Sequence, residues 1–246
     1  MTERRLRTIR VVTYNVHRGR GLDGRTKPDR IAAVLQDIDA DVVALQEVVG
    51  AGPRHGGHAE AFGAALGMGW VMAPTRHLWS HQFGNVVLSR FPITHHVRYN
   101  LSWKTCEPRG CMRVDLAIDD ELTLHLYNAH FGTAILERRV QAERLAGIVS
   151  DRRVTGPKIV LGDFNEWSRG PASALLSERL NGIDLAAHLR RRRTYPGVFP
   201  LVHLDHIYYQ GRVEVEKVEL VRSRRALIAS DHLPLVATLR IGAQQA

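Results

Sequence analysis

Two hydrophobic periods alternate along this chain. Ile31, Val34, Leu35 and Ile38 recur at the i, i+3, i+4, i+7 spacing of one helix face. A short "DADV" turn leads from that stripe into "VVALQEV", an unbroken apolar run of strand length that stops at Glu47. The arrangement returns later. Leu136, Val140, Leu145, Ile148 and Val149 mark a second, arginine-rich helix, "TGP" closes it, and "KIVLGDFN" is again a buried strand ending in an acid. The chain therefore reads as two helix-then-strand halves of related plan, too different in sequence to count as a repeat.

Seven further strands follow from apolar runs or alternation: "TIRVVTYNV", "NVVLSRFPI", "CMRVDLAID", "LTLHLYNAHF", "HLDHIYYQG", "VEVEKVELV" and "PLVATLRI". Strands outnumber helices, and turns as short as Asp119–Glu121 separate neighbours. Mixed or antiparallel sheets in a layered α/β domain fit this better than a doubly wound parallel sheet. No P-loop motif is present. Three segments read as long loops: Gly50–Glu60, Thr75–Asn85 and Asn100–Met112. No Pro/Gly/Ser linker separates domains, so residues 1–246 are expected to form a single domain.

Composition narrows the picture. With 246 residues, 44% hydrophobic and 24% charged, the chain can bury a sizeable core. The net charge of +9 points to an anionic partner, although an arginine-rich surface also arises without one. The only cysteines, Cys106 and Cys111, are too few for a disulfide framework or a structural zinc site. The opening "MTERRLRTIRVV" has no signal-peptide core, and no apolar run nears the roughly 18 residues of a membrane span. A soluble, cytoplasmic monomer is the expectation.

The chemistry lies where apolar runs stop. Strands end in Asn15, in Glu47, in Asn128 and His130, in Asp163 and Asn165, and in Asp205, and Asp231 and His232 precede the last strand. Buried polar groups cost free energy unless a partner or a metal satisfies them. Six such ends, if they converge, gather carboxylates, amides and histidines in one pocket. That donor set suits a hard cation, Mg2+ or Mn2+, which also relieves the repulsion between carboxylates. No HExxH motif or zinc-like histidine spacing competes. The chemistry implied is metal-assisted phosphoryl transfer to water.

Taken in order, "TYNVH", "LQEV", "YNAHF", "GDFN", "LDHIY" and "SDHLPL" resemble the endonuclease/exonuclease/phosphatase superfamily, and the resemblance runs from Val11 to Ile241. It implies a four-layer α/β sandwich: two mixed, mainly antiparallel sheets packed face to face, with helices outside. Carried over residue by residue, it implies that Glu47 binds the metal, with Asn15 and Asp231 beside it. Asp163 would activate the attacking water and Asn165 would steady it. Asp205 would hold His232 against the scissile phosphate, and His130 would assist there. Arg109, Asn85 and Asn128 would face the substrate phosphate. Each has a plainer reading: Glu47 as a surface or capping carboxylate, His130 as a structural histidine, Arg109 as half of a surface ion pair.

The substrate implied is a phosphodiester, either a phospholipid headgroup, with peripheral contact to a membrane, or nucleic acid cut by a nuclease. A reading from another class, a non-catalytic phosphate-binding module, has against it that Glu47, Asp163, Asp205, Asp231 and His232 are all present. Trp79 and Trp103 stand in loops expected to rim the site and would suit an interfacial headgroup substrate. His77 and His81 flank Trp79 in what reads as a substrate-facing loop, and the pair His55 and His58 reads as a flexible one. Arg190–Arg193 is either a polyanion grip or a solvated basic face.

Overall fold

A computed structural model describes residues 6–53, 56–167, 170–197, 199 and 201–243. The strands are β1 (Arg7–Asn15), β2 (Val42–Val49), β3 (Gly69–Leu78), β4 (His81–Ser89), β5 (Ile93–Asn100), β6 (Gly110–Ala117), β7 (Thr123–His130), β8 (Lys158–Asp163), β9 (Asn181–Gly182), β10 (Asp205–Gln210), β11 (Val213–Leu220) and β12 (Leu235–Ile241). The helices are α1 (Pro28–Ile38), α2 (His58–Leu66), α3 (Ile135–Val149), α4 (Pro171–Ser177), α5 (Leu185–His188) and α6 (Arg224–Ala229).

The two halves of related plan become two sheets of matching construction. One runs β11-β12-β1-β2-β4-β3 and the other β5-β6-β7-β8-β10-β9. Each has a single parallel pair at its centre, β1 with β2 and β7 with β8, and the other pairings are antiparallel. The parallel pairs exist because α1 and α3 carry the chain back across the sheet, as a crossover must. Alternation then sorts the side chains into layers. Val11, Val42, Val87, Leu126, Leu161 and Leu239 fill the space between the sheets. Val12, Leu45 and Val86 pack against α1, α2 and α6 on one outer face, and Tyr127, Val160 and Tyr208 pack against α3 and α4 on the other. This is the four-layer sandwich expected.

Helix α1 buries the expected stripe of Ile31, Val34, Leu35 and Ile38, with Pro28 pre-set in its first turn. Helix α3 departs from expectation. Leu136 is 63% exposed, and the inward face is Glu137, Gln141, Ala142, Leu145 and Val149. Hydrogen bonds turn it: the Gln141 carbonyl accepts from the Gly132 amide at 2.8 Å, and the Gln141 amide donates to Glu137 at 3.1 Å. The helix start is thus tied to the loop leaving β7, and the apolar residues of its first turn face outward.

Two expected loops also gain structure. Thr75–Asn85 lies within the β3–β4 hairpin, whose turn residues Trp79 and Ser80 both take positive φ, the twist that suits a tight hairpin. Pro74 and the polar residues of "GWVMAPTRHL" hide the strand. Helix α2 begins at His58 and buries Ala59 and Phe62, but its alanine- and glycine-rich run carries too weak a stripe to read. His55 lies outside the described residues. Cys106 and Cys111 are both free. Among the described residues no helix is long and apolar enough to cross a membrane.

Candidate active site

Because β1 and β2 run parallel, and β7 and β8 likewise, each pair delivers two strand ends to one place. Asn15 registers with Gln46, His130 with Asp163, and Asp163 with Asp205. The alternation that puts Val11 and Leu161 between the sheets puts Asn15 and Asp163 on the same inner faces at the strand ends. There the sheets are joined: the Asn15 amide donates to Asp163 Oδ2 at 2.9 Å.

Two backbone features complete the convergence. In β2 the register with β4 slips between Leu45 and Val48, and Glu47 inside this bulge has φ 58°. Regular pairing would turn Glu47 outward with Leu45. The bulge re-aims it, and its carboxylate accepts from the Asn15 amide at 3.3 Å. In β8, Gly162 has φ 148°, and a Cβ there would run into the carbonyl oxygen of Ala129. Only glycine allows this approach, which sets Asp163 beside His130.

Asp163 is the hub. Its Oδ2 lies 3.6 Å from His232 Nε2 and 3.7 Å from His130 Nε2, while its Oδ1 accepts from the Asn165 backbone amide at 2.9 Å. Asn165, at φ 50°, donates its side-chain amide to Phe131 O at 2.9 Å, with His130 Nε2 3.4 Å away. Asp205 Oδ2 holds His232 Nδ1 at 3.0 Å, which leaves Nε2 facing Asp163. Asp205, Asp163, His130 and His232 are all buried, whereas Glu47 and Asp231 are half-buried at the mouth.

Burial, and then the charge of Asp205, push the Asp163 carboxyl up to about 6. Burial also opposes charge on His232, but Asp205, Asp163 and Asp231 outweigh it and raise the imidazole to about 10. Burial, with Arg109 and His232 nearby, drives His130 well below the ordinary histidine value. The site therefore holds one charged and one neutral imidazole on either side of one carboxylate. Asp205 Oδ1 is buried with no hydrogen-bond partner among the described residues.

The phosphate-facing set divides. Asn128 is fully buried between the sheets, and its amide is spent there. It donates to Leu45 O and Val86 O at 2.9 Å each and accepts from Gln46 Nε2 at 2.8 Å. Both of its amide protons are thus used in the interior. Asn85 donates to Gly110 O and Asn128 O at 3.2 Å each. Arg109 is braced by Glu107 at 2.9 Å, and it lines with Asn85 a side cavity of about 520 Å3. His77 and His81 lie on the β3–β4 hairpin, and His81 Nδ1 is 3.1 Å from Trp79 O.

Several residues had no signal at strand ends. The Tyr195 ring packs 4.9 Å from His232. His17 Nδ1 lies 3.5 Å from Asp231, and Ser230 Oγ donates to Asn15 O at 2.8 Å. Gln46 and Thr13, joined at 3.1 Å, continue the polar layer beneath Asn15. Thr13, His17, Gln46 and Ser230 lie inside the motifs "TYNVH", "LQEV" and "SDHLPL", whereas Tyr195 stands in none of them.

Two mixed six-stranded sheets face to face, helices outside and a polar cluster at the ends of their parallel pairs define a deoxyribonuclease-I-like sandwich. Residues 12–232 match the sequence model of the Endonuclease/Exonuclease/phosphatase family, and the chain belongs to that family, whose members are typically hydrolases of phosphoesters. Among curated proteins, YbhP of Escherichia coli (strain K12) is 31% identical over 254 residues, covering 95% of this chain and 97% of YbhP. Among solved structures, an endonuclease/exonuclease/phosphatase from Beutenbergia cavernae superposes with a TM-score of 0.73 at 23% identity, covering 96% of this chain and 72% of that one. One from Bacteroides vulgatus superposes with a TM-score of 0.80 at 16% identity, covering 96% and 99%.

Proposed function

We propose that this chain, acting as one catalytic domain, is a divalent-metal-dependent phosphodiesterase that hydrolyses a P–O bond by direct attack of water. One observation carries the reading: a buried carboxylate, Asp163, is shared by Asn15, His232 and His130 across the two sheets. A carboxyl raised to about 6 is poised as a general base near neutral pH. In the proposed step Asp163 takes the proton of a water held by Asn165. The water oxygen bonds to phosphorus, and the ester oxygen leaves from the opposite side. His232, kept charged and oriented by Asp205, faces the phosphate oxygens as negative charge gathers on them. Neutral His130 and Arg109, from the flank, orient the phosphate, with Asn85 behind them.

The donor set fits a hard cation. Glu47 and Asp231 offer oxygens at the mouth, and the buried Asn15 side-chain oxygen, which accepts from the His17 amide at 3.0 Å, adds a third. Four carboxylates crowd a pocket whose Asp205 Oδ1 has no partner among the described residues. Among the described residues no group of three or more Asp, Glu, His or Cys is placed to hold a metal ion by itself; Mg2+ characteristically takes one or two carboxylates and keeps several waters. Bound there, such an ion supplies Lewis-acid polarisation of a phosphate oxygen.

The test is hydrolysis of bis-p-nitrophenyl phosphate with Mg2+ or Mn2+, before and after chelation. Chelation should abolish turnover, and Asp163→Ala should lower it by about 10^3-fold with the fold retained. Absence of turnover with either metal, or equal rates for wild type and Asp163→Ala, would refute the reading.

A further inference from the structure

Large apolar side chains left in water are informative only when they cluster. Six of them here are between 63% and 84% exposed: Trp79, Ile135, Leu136, Trp167, Phe199 and Leu201. All six lie at the site end of the sandwich. Trp79 tips the hairpin whose second strand starts beside the end of β2, the strand that carries Glu47. Ile135 and Leu136 open α3 just after His130, and Trp167 stands two residues past Asn165. Phe199 and Leu201 lie between Tyr195, packed on His232, and Asp205.

Positive charge gathers at the same end. Arg190–Arg193 and Arg222 line, with Phe199 and Leu201, a cavity of about 840 Å3. It is larger than the side cavity by Arg109, and two residues after Arg193 in the chain the Tyr195 ring packs on His232. Among the described residues no carboxylate lines it, and none of these five arginines has an ion pair or hydrogen bond. Several arginines elsewhere are engaged, Arg7 with Asp119, Arg30 with Asp23 and Arg225 with Asp37, while Arg98, Arg152 and Arg224 also stand without an ion pair among the described residues, so it is the grouping of five in one cavity that sets this patch apart. A merely solvated basic run accounts for the charge but not for the apolar side chains beside it.

Which polyanion fits follows from the apolar chemistry. Ile135, Leu136 and Leu201 present no π face on which a base stacks. They do gain free energy at the boundary between headgroups and acyl chains, where tryptophan also prefers to sit. Unpaired guanidinia are attracted by anionic headgroups across a Debye length. We infer that the site end docks on an anionic phospholipid surface, with Phe199 and Leu201 entering the interface and Arg190–Arg193 and Arg222 facing lipid phosphates. The inference rests on the phosphodiesterase reading only for what the docked site then meets, a headgroup ester.

The experiment is co-sedimentation with phosphatidylcholine vesicles, with and without phosphatidylglycerol. Binding is expected only to the anionic vesicles and should weaken with salt. Arg190→Gln with Arg191→Gln should lower partition about thirty-fold, and Phe199→Ser with Leu201→Ser by about tenfold or more. Both double variants should keep the wild-type melting temperature and wild-type hydrolysis of bis-p-nitrophenyl phosphate. No binding to anionic vesicles, equal binding to neutral ones, or undiminished binding by both variants overturns the inference. So does binding of a single-stranded oligonucleotide in place of vesicles, lost in both variants. Vesicle binding without turnover of the soluble diester instead sinks the phosphodiesterase reading and leaves docking intact.

Discussion

Asn128→Ala separates a structural amide from a substrate-facing one. The wild-type side chain makes three interior hydrogen bonds, to Leu45 O and Val86 O at 2.9 Å and from Gln46 Nε2 at 2.8 Å. Alanine leaves two buried carbonyls without this donor. The Gln46 amide fares better, because Thr13 Oγ1 is 3.1 Å away. At about 1–3 kcal/mol for each buried group left unpaired, and less for Gln46, the loss comes to about 3–5 kcal/mol. That is a large share of a typical stability of about 5–15 kcal/mol, and corresponds to a fall in Tm of about 10 °C. Urea denaturation measures the first, and KM for bis-p-nitrophenyl phosphate, at a temperature where the variant is folded, reads substrate contact. A stability loss under about 1 kcal/mol, together with a several-fold rise in KM, would mean that Asn128 reaches the substrate, and the interior assignment would fail.

Glu47→Gly relieves a left-handed backbone at φ 58° and removes one of four crowded carboxylates, so stability should rise by about 1 kcal/mol while activity is lost. A thermal melt beside the rate assay checks it, and a destabilised variant would count against strain at this bulge. Gly162→Ala should cost several kcal/mol or prevent folding, since its Cβ meets the Ala129 carbonyl, and a soluble variant with an unchanged melt would contradict that contact. His206 packs with Phe164 at 5.6 Å and Tyr208 at 5.9 Å. Burial, and then His203, depress it well below the ordinary histidine value of 6.5, so its neutral form is the folded one. The unfolded chain takes up the proton first as pH falls below 6.5, so this contribution is complete above 6.5 and is lost toward the depressed value. His206→Phe should therefore flatten the fall in stability between pH 7 and pH 5 in urea titrations, and an unchanged slope would argue against it.

Alternation and unbroken apolar runs are local properties, which is why β1, β7 and β8 and their polar ends were legible in single stretches of chain. So was the stripe of α1. The inward face of α3 was not, because the groups that turn it are polar: Glu137 and Gln141 are satisfied only through Gly132. Nor was the hairpin of β3 and β4, whose pairing depends on a tight turn at Trp79 and Ser80 rather than on a clean pattern.

The candidate site divides along the same line. Residue types and their order along the chain determined the donors: three aspartates, a glutamate, two histidines and several amides, each at the end of an apolar run. Only the tertiary structure decided which atoms remain for chemistry. Asn15 meets Asp163 across 148 residues of chain, and Gln46 meets Asn128 across 82. A buried amide is usable by a ligand only if the interior has not already claimed it, and that depends on partners far away in sequence. By this accounting Asn128 is spent inside while Asp205 keeps a free oxygen, although both stand alike at the ends of strands.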